Sequence, residues 1–291
     1  MSVTAHIDGI ELIISQEGDI VKKALTIAGS DSCGGAGIQA DLKTFSAHGV
    51  YGMSVITAVT AQNTQGVFAV QDIYPEIIAK QMEAIFEDIE VNAIKIGMVS
   101  QIATIKTVTA KLQYYKPDNI VIDPVMISKS GYHLLQPEAE EALVKELLPL
   151  ATIVTPNIPE AEVITGVAIN NIGEMEEAAR RIIALGAGHV LVKGGHLPSE
   201  ATDVLFDGQA FTYFAAPRIA TTNTHGTGCT LSSAIAANLA KGLTMAEAVL
   251  RAKEYITIAI KHALAIGKGV GPTNHFYEIY RKAGMLQQAG D

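Results

Sequence analysis

From Ala24 onward the chain alternates short aliphatic runs with longer amphipathic segments, and this alternation restricts its fold more than any other feature. Runs bounded by Gly, Asn and Asp predict strands at Ala24–Ala28, Ser54–Thr60, Ala93–Ile96, Asn119–Asp123, Thr152–Thr155 and His189–Lys193. Two more follow at Ala201–Phe206 and Ala210–Ala215, separated by the turn Asp207-Gly208. Helical periodicity is found at Ala36–Ala47, Pro75–Glu87, Ile102–Tyr114, Pro137–Leu148, Ile172–Leu185, Gly226–Lys241 and Met245–Ala263. Strand, helix, strand at these spacings gives right-handed βαβ units, hence a mostly parallel sheet with helices on both faces: an α/β protein. Composition agrees. Hydrophobic residues make up 48%, charged residues 18% and aromatics only 5%, without tryptophan, which excludes whole-chain disorder and favours aliphatic strands packed on alanine-rich helices over a β-sandwich.

A length of 291 residues permits one large domain or two smaller ones. No fixed-period repeat, low-complexity tract or long linker divides the chain, so residues 24–291 read as a single domain. Residues 1–23 read as an N-terminal extension without an assigned role, in which Gly9–Ile14 suits a small extra strand. That extension has neither a basic start nor a long apolar stretch, so it is not a signal peptide. Nor does any apolar run approach the roughly 20 residues of a membrane span. Two cysteines far apart in sequence, Cys33 and Cys229, form no disulfide framework and no CxxC metal site, and a reducing cytoplasm is the expected location.

Asp and Glu exceed Lys and Arg by 30 to 21, a formal charge of −9, which argues against nucleic-acid or anionic-membrane partners. A small phosphate compound would have to be held locally, by backbone NH groups, a helix N-terminus, a lysine or a cation. Ligands in such a sheet bind at the C-terminal ends of the strands. The unusual residues gather there: Gly29-Ser30-Asp31, Gln62-Asn63, Gly97-Met98, Asp123-Pro124, Pro156-Asn157 and Gly194-Gly195.

The strongest local motif is Asn223-Thr-His-Gly-Thr-Gly-Cys229, which opens an alanine-rich helix. Gly226, Thr227 and Gly228 allow a tight turn whose NH groups converge on one point, where the helix dipole adds positive charge, and so predict an anion site suited to phosphoryl transfer. Cys229 falls in the first helical turn, where the dipole is expected to lower a thiol pKa and make a base or nucleophile; a small buried residue at a crowded turn fits the position equally well. His225 either meets a ligand or satisfies the turn. A second glycine cluster, Gly29 to Gly37, has dinucleotide-loop spacing, but the next strand ends in Thr60-Ala-Gln-Asn63 without the acidic ribose ligand. Asp41, inside the following helix, is either a ligand's acceptor or a first-turn aspartate on the dipole. Gln62 carries donors and an acceptor that complement an aminopyrimidine edge. The Asp123 carboxylate and the Asn157 amide, at adjacent strand ends, suit the oxygen shell of Mg²⁺, although Asn157 and Glu160 also fit a helix cap, and Lys193 puts an ammonium at the rim.

Taken in order, Ala28-Gly-Ser-Asp-Ser-Cys-Gly-Gly-Ala-Gly-Ile-Gln-Ala-Asp-Leu-Lys-Thr44, Val59-Thr-Ala-Gln-Asn-Thr64, Lys95-Ile-Gly-Met98, Val121-Ile-Asp-Pro-Val-Met126, Thr155-Pro-Asn-Ile-Pro-Glu160, Lys193-Gly-Gly-His196 and Asn223–Cys229 resemble the hydroxymethylpyrimidine/phosphomethylpyrimidine kinases of thiamine biosynthesis, in the ribokinase-like superfamily. The resemblance runs from about Ala24 past Gly271-Pro272. It implies a three-layer α/β/α sandwich, with ATP and Mg²⁺ as cofactors and a homodimer as the assembly. The implied reactions are phosphorylation of 4-amino-5-hydroxymethyl-2-methylpyrimidine and of its monophosphate. By position, Gln62, Gly29, Asp41, Met98 and Val125 would surround the pyrimidine, and Gly226, Thr227, Gly228 and Cys229 would form the anion hole. Lys193, Asn157 and Thr227 would approach the nucleotide, with Asp123 and Glu160 at the metal. Many ribokinase-like enzymes have aspartate where this chain has Cys229. A pyridoxal or pyridoxine kinase is the nearest competing reading, and a non-catalytic pyrimidine-binding protein a more distant one.

Overall fold

The computed structural model describes residues 2–7, 10–15, 21–127, 131–197 and 201–286. Ser2–Ile7 (β1) and Ile10–Ser15 (β2) form a separate antiparallel hairpin. The expected extra strand is therefore present at Ile10–Ser15, whereas Gly9 lies outside the described residues.

The remaining strands make one sheet. They are β3 (Lys23–Asp31), β4 (Tyr51–Asn63), β5 (Gly66–Asp72), β6 (Ala93–Ile96), β7 (Ile120–Ile122), β8 (Ile153–Val154), β9 (Val190–Val192), β10 (Asp203–Phe206) and β11 (Phe211–Phe214). Their order is β11-β10-β9-β8-β7-β6-β3-β4-β5. Pairing is parallel from β4 through β9 and antiparallel at both margins, where β5 joins β4 and the β10–β11 hairpin joins β9. The sequence reading misses β5, which lies at the sheet's edge and owes its extended form to the ladder with β4.

The helices are α1 (Gly37–Ala47), α2 (Pro75–Phe86), α3 (Ile102–Tyr115), α4 (Pro137–Ala142), α5 (Ile158–Thr165), α6 (Ile172–Ala184), α7 (Thr227–Ala240), α8 (Met245–Lys261) and α9 (Tyr277–Lys282). The helix expected over Pro137–Leu148 is shorter: it widens into a π-helical turn at Leu143–Leu147 and tightens into a 3₁₀ turn at Leu148–Leu150, where Pro149 cannot donate to the α ladder. The short helices α5 and α9 are too brief to display periodicity; α5 is announced by its Asn157–Glu160 cap, and the sequence reading misses α9.

Alternation along each strand sorts its side chains into two cores. Leu25, Ile94, Ile122, Val154 and Val192 pack with α2 to α6. Their neighbours Ala24, Ala93, Val121, Ile153 and Leu191 pack with α1, α7 and α8. The strands are apolar on both faces because both faces are covered, which gives the expected three layers.

Candidate active site

The turn between β3 and α1, the start of α7 and the ends of β4, β6, β7, β8 and β9 meet at the sheet's C-terminal rim. The two glycine clusters, nearly two hundred residues apart in sequence, are in contact there. Gly226, the N-cap of α7, is left-handed at φ 76°, and a Cβ on it would lie 1.7 Å from the carbonyl oxygen of Gly35. A Cβ on Gly35 would in turn lie 2.2 Å from Cδ2 of His225. Close approach requires glycine at both positions, and at Gly226 the dihedral angle does so as well. Thr227 Oγ1 donates to the carbonyl of Thr224 at 2.8 Å, and the NH groups of Gly228 and Cys229 belong to a first turn with no intrahelical acceptors.

Against this turn lies a charged group drawn from three strand ends. Lys193 Nζ donates to Asp123 Oδ1 at 2.8 Å and lies 4.0 Å from Glu160 Oε2. A Cβ on Gly228 would be 3.5 Å from both Asp123 Oδ2 and Lys193 Nζ, so the bare start of α7 rests on the pair. Burial opposes charge on Lys193, but Asp123, then Glu160, hold its pKa above the ordinary lysine value. Asn157 and Glu160 form the capping box of α5: Asn157 Oδ1 accepts from the Glu160 NH at 2.9 Å, and Glu160 Oε2 accepts from the Asn157 NH at 2.8 Å. The capping alternative is thus realised, and it fixes Glu160 beside Lys193.

Cys229 corrects one expectation. Its thiol pKa is raised to about 11: burial raises it most, Asp41 and Asp123 add to the effect, and Lys95 and the NH of Gly37 only partly offset them. The helix dipole does not outweigh this burial. Asp41 corrects another. It is wholly buried, and its carboxylate accepts from Thr26 Oγ1 at 2.6 Å, Ser233 Oγ at 2.5 Å and Lys95 Nζ at 3.0 Å. Neither a ligand contact nor a solvated first-turn aspartate describes it; it is the counter-ion of a buried lysine. Burial opposes charge on Lys95, yet Asp41, with Cys229 and Asp123, holds its pKa above the ordinary value. Lys95 interrupts the strand Ala-Ile-Lys-Ile, and a lysine inside an aliphatic strand needs a buried anion; that was the signal available in the sequence.

The other overlooked residue is Asp31. Its carboxylate accepts from the NH groups of Cys33, Gly35 and Ala36 at 2.8–3.0 Å and from His225 Nε2 at 2.8 Å. Burial alone would raise its pKa, but His225 and the backbone donors bring it down to about 2. With Asp31 ionised, His225 Nε2 carries the shared proton. It cannot then also accept from the Gln62 amide nitrogen 3.4 Å away, which is left uncommitted to His225. Gln62 lies on the extended end of β4, half-buried, with its backbone clasped by Ser32 Oγ. Gly29 and Met98 adjoin across the sheet, since a Cβ on Gly29 would be 3.0 Å from Met98 Sδ. Val125, half-buried, follows β7 with its NH on the carbonyl of Asp123.

The rim therefore brings together the start of α7, a Lys–carboxylate group and a half-buried amide that touches Thr60 and His225. Residues 31–274 match the family model described as phosphomethylpyrimidine kinase. The hydroxymethylpyrimidine/phosphomethylpyrimidine kinase of Rhizobium meliloti strain 1021 is 56% identical over 262 residues, covering 89% of this chain and 98% of that one. The crystal structure of phosphomethylpyrimidine kinase from Clostridium difficile 630 is 57% identical with a TM-score of 0.75, covering 82% of this chain and 100% of that one. An ADP complex of Bacillus subtilis pyridoxal kinase is 43% identical with a TM-score of 0.84, covering 89% and 99%. No helix among the described residues is long and apolar enough to cross a membrane. The chain belongs to the phosphomethylpyrimidine kinase family and is a kinase of the ribokinase-like fold.

Proposed function

We propose that this kinase transfers the terminal phosphoryl group of ATP to 4-amino-5-hydroxymethyl-2-methylpyrimidine and then to the resulting monophosphate, in thiamine biosynthesis. The observation that carries the reading is the meeting at one rim of a helix start with unpaired NH groups, Gly226–Cys229, and the half-buried Gln62 amide, whose nitrogen lies 3.4 Å from His225 Nε2 and whose oxygen accepts from Thr60 Oγ1 at 3.3 Å. The amide donates to a ring nitrogen or accepts from the exocyclic amine, while Gly29, Met98 and Val125 pack around the ring. NH groups of Gly228 and Cys229 meet the charge that spreads over the migrating group, and they need no reorganisation to do so. Lys193 neutralises nucleotide phosphates, with Thr227 and Asn157 flanking them.

Asp123 and Glu160 fit Mg²⁺ in donor type: two hard carboxylates near adjacent strand ends, set against a single ammonium. When bound there, the ion supplies charge neutralisation at the phosphates. Cys229 is the residue best placed as base for the alcohol. A second copy as partner is supported by the exposed edge strand β5, where Phe68 is 68% exposed, and a reducing cytoplasm by two free cysteines. Residues 24–291 as one domain are supported by the single sheet that holds every strand from Lys23 to Phe214.

The likeness to pyridoxal kinases keeps pyridoxal as a second reading. Phosphate incorporation into the pyrimidine alcohol, its monophosphate and pyridoxal, measured side by side, decides between them. Turnover of both pyrimidines above pyridoxal is expected; a wide preference for pyridoxal overturns the proposal, and no turnover of any of the three would favour a binding protein.

A further inference from the structure

Asp31, Cys33 and His225 bring a carboxylate oxygen, a thiol sulfur and an imidazole nitrogen within 4.8 Å of one another. The three come from the β3–α1 turn and from the loop before α7, so only the folded chain assembles them. Asp31 and His225 are buried and Cys33 is half-buried, which leaves the sulfur as the accessible side of the cluster. We propose that this cluster binds a borderline-soft divalent cation of the zinc class and that the bound ion blocks the pyrimidine side of the site.

The two distances to Asp31 are near those of a tetrahedral ion. Zinc bonds of about 2.3 Å to sulfur and about 2.0 Å to nitrogen and oxygen set the ligand atoms roughly 3.3–3.6 Å apart. Cys33 Sγ already lies 3.5 Å from Asp31 Oδ2, His225 Nε2 has to retreat by about half an ångström from its 2.8 Å contact with the same oxygen, and the sulfur and the imidazole nitrogen, within 4.8 Å of each other, have to close to that spacing through rotation of the Cys33 side chain. The cation takes the place of the imidazole proton on the carboxylate; the ring then serves as its Nδ1–H tautomer, and the thiol proton leaves to solvent. Burial and the Asp31 charge push the free thiol up to about 11, so without a cation it stays protonated. A dication reverses that preference, and a sulfur ligand selects zinc over the magnesium used with nucleotides.

His225 Nε2 also lies 3.4 Å from the Gln62 amide nitrogen. Metal on that nitrogen changes what the amide faces, so inhibition is expected to compete with the pyrimidine and not with ATP. This inhibitory half rests on the reading of Gln62 given above; the binding half does not.

Cobalt(II) titrated into the full chain without nucleotide tests the binding half. A thiolate-to-cobalt charge-transfer band is expected that survives Cys229→Ser, disappears in Cys33→Ser and weakens in His225→Gln. No band, or one that persists in Cys33→Ser, overturns the site. Zinc titrated into the turnover assay is expected to inhibit competitively with the pyrimidine, with the midpoint raised by ~10-fold or more in Cys33→Ser, whose metal-free turnover stays that of the parent. A band that depends on Cys33, without competition against the pyrimidine, leaves the metal site standing and overturns the role given to Gln62.

Discussion

Gly226 combines a left-handed backbone with a Cβ position 1.7 Å from another loop's carbonyl oxygen. Gly226→Ala must therefore open the contact with Gly35 as well as strain its own dihedral angles. A loss of roughly 1–3 kcal/mol in unfolding free energy is expected from the backbone strain alone, with turnover falling further because the anion-facing turn moves. Urea unfolding and steady-state kinetics on the same variant check both. Cys229 gives a pH prediction. A thiol raised to about 11 is only ~10⁻⁴ ionised at pH 7, so a first phosphorylation that needs the thiolate accelerates as pH rises toward that value. The second acceptor is already an ionised phosphate and should show no such slope. Likewise, Cys229→Ser should impair the first step more than the second; flat profiles and equal losses in both steps would remove the thiolate from the mechanism. The glycines and Cys229 are legible in the sequence as a motif. The sign of the thiol's pKa shift is not, because the burial that raises it comes from other elements packed around the thiol.

Helix α7 shows what an element adds to its motif. Ser232 Oγ reaches Asp123 Oδ2 at 3.4 Å, Ser233 Oγ reaches Asp41, and Thr230 Oγ1 lies 3.0 Å from His275 Nε2. Alanine-rich periodicity correctly predicts a buried helix, but the polar positions acquire meaning only from the neighbours they face. The same holds for Lys95 on β6 and Asp41 on α1, fully buried and paired at 3.0 Å. Removing one partner strands the other's charge, so Lys95→Met should cost about 3–5 kcal/mol in urea unfolding. The double variant Lys95→Met/Asp41→Leu should recover a large part of that loss. If the double variant costs the sum of the two singles, the pair is not coupled as described. Among the elements themselves, long periodic helices, central strands and the capped start of α5 are readable, whereas edge strand β5 and the short helix α9 depend on contacts that a local pattern does not contain.

At the scale of the whole molecule, burial of histidines sets an acid limit. His48 and His275 are both lowered to about 4, chiefly by burial, so the native state favours their neutral forms. Their contribution to stability is complete above the unfolded pKa near 6.5 and is lost as pH falls from there toward 4. The urea midpoint should therefore drop across that window, by an amount corresponding to several kcal/mol for the pair. His275→Asn should flatten part of the decline, at a cost in stability at pH 7 from lost packing; an unchanged slope would show that other groups set the limit. Alternation of aliphatic and amphipathic segments is enough to specify a parallel sheet between two helical layers, because strand and helix periods are local and both sheet faces must be covered. It also places the ligand rim, since parallel strands bring their C-terminal loops to one edge. Which residues at that rim face a ligand and which neutralise one another was decided only by tertiary structure. Asp41 is spent on Lys95 and Asp31 on His225, and both assignments depend on distances between segments that the linear order of residues does not encode, whereas the cap that holds Glu160 is local and legible.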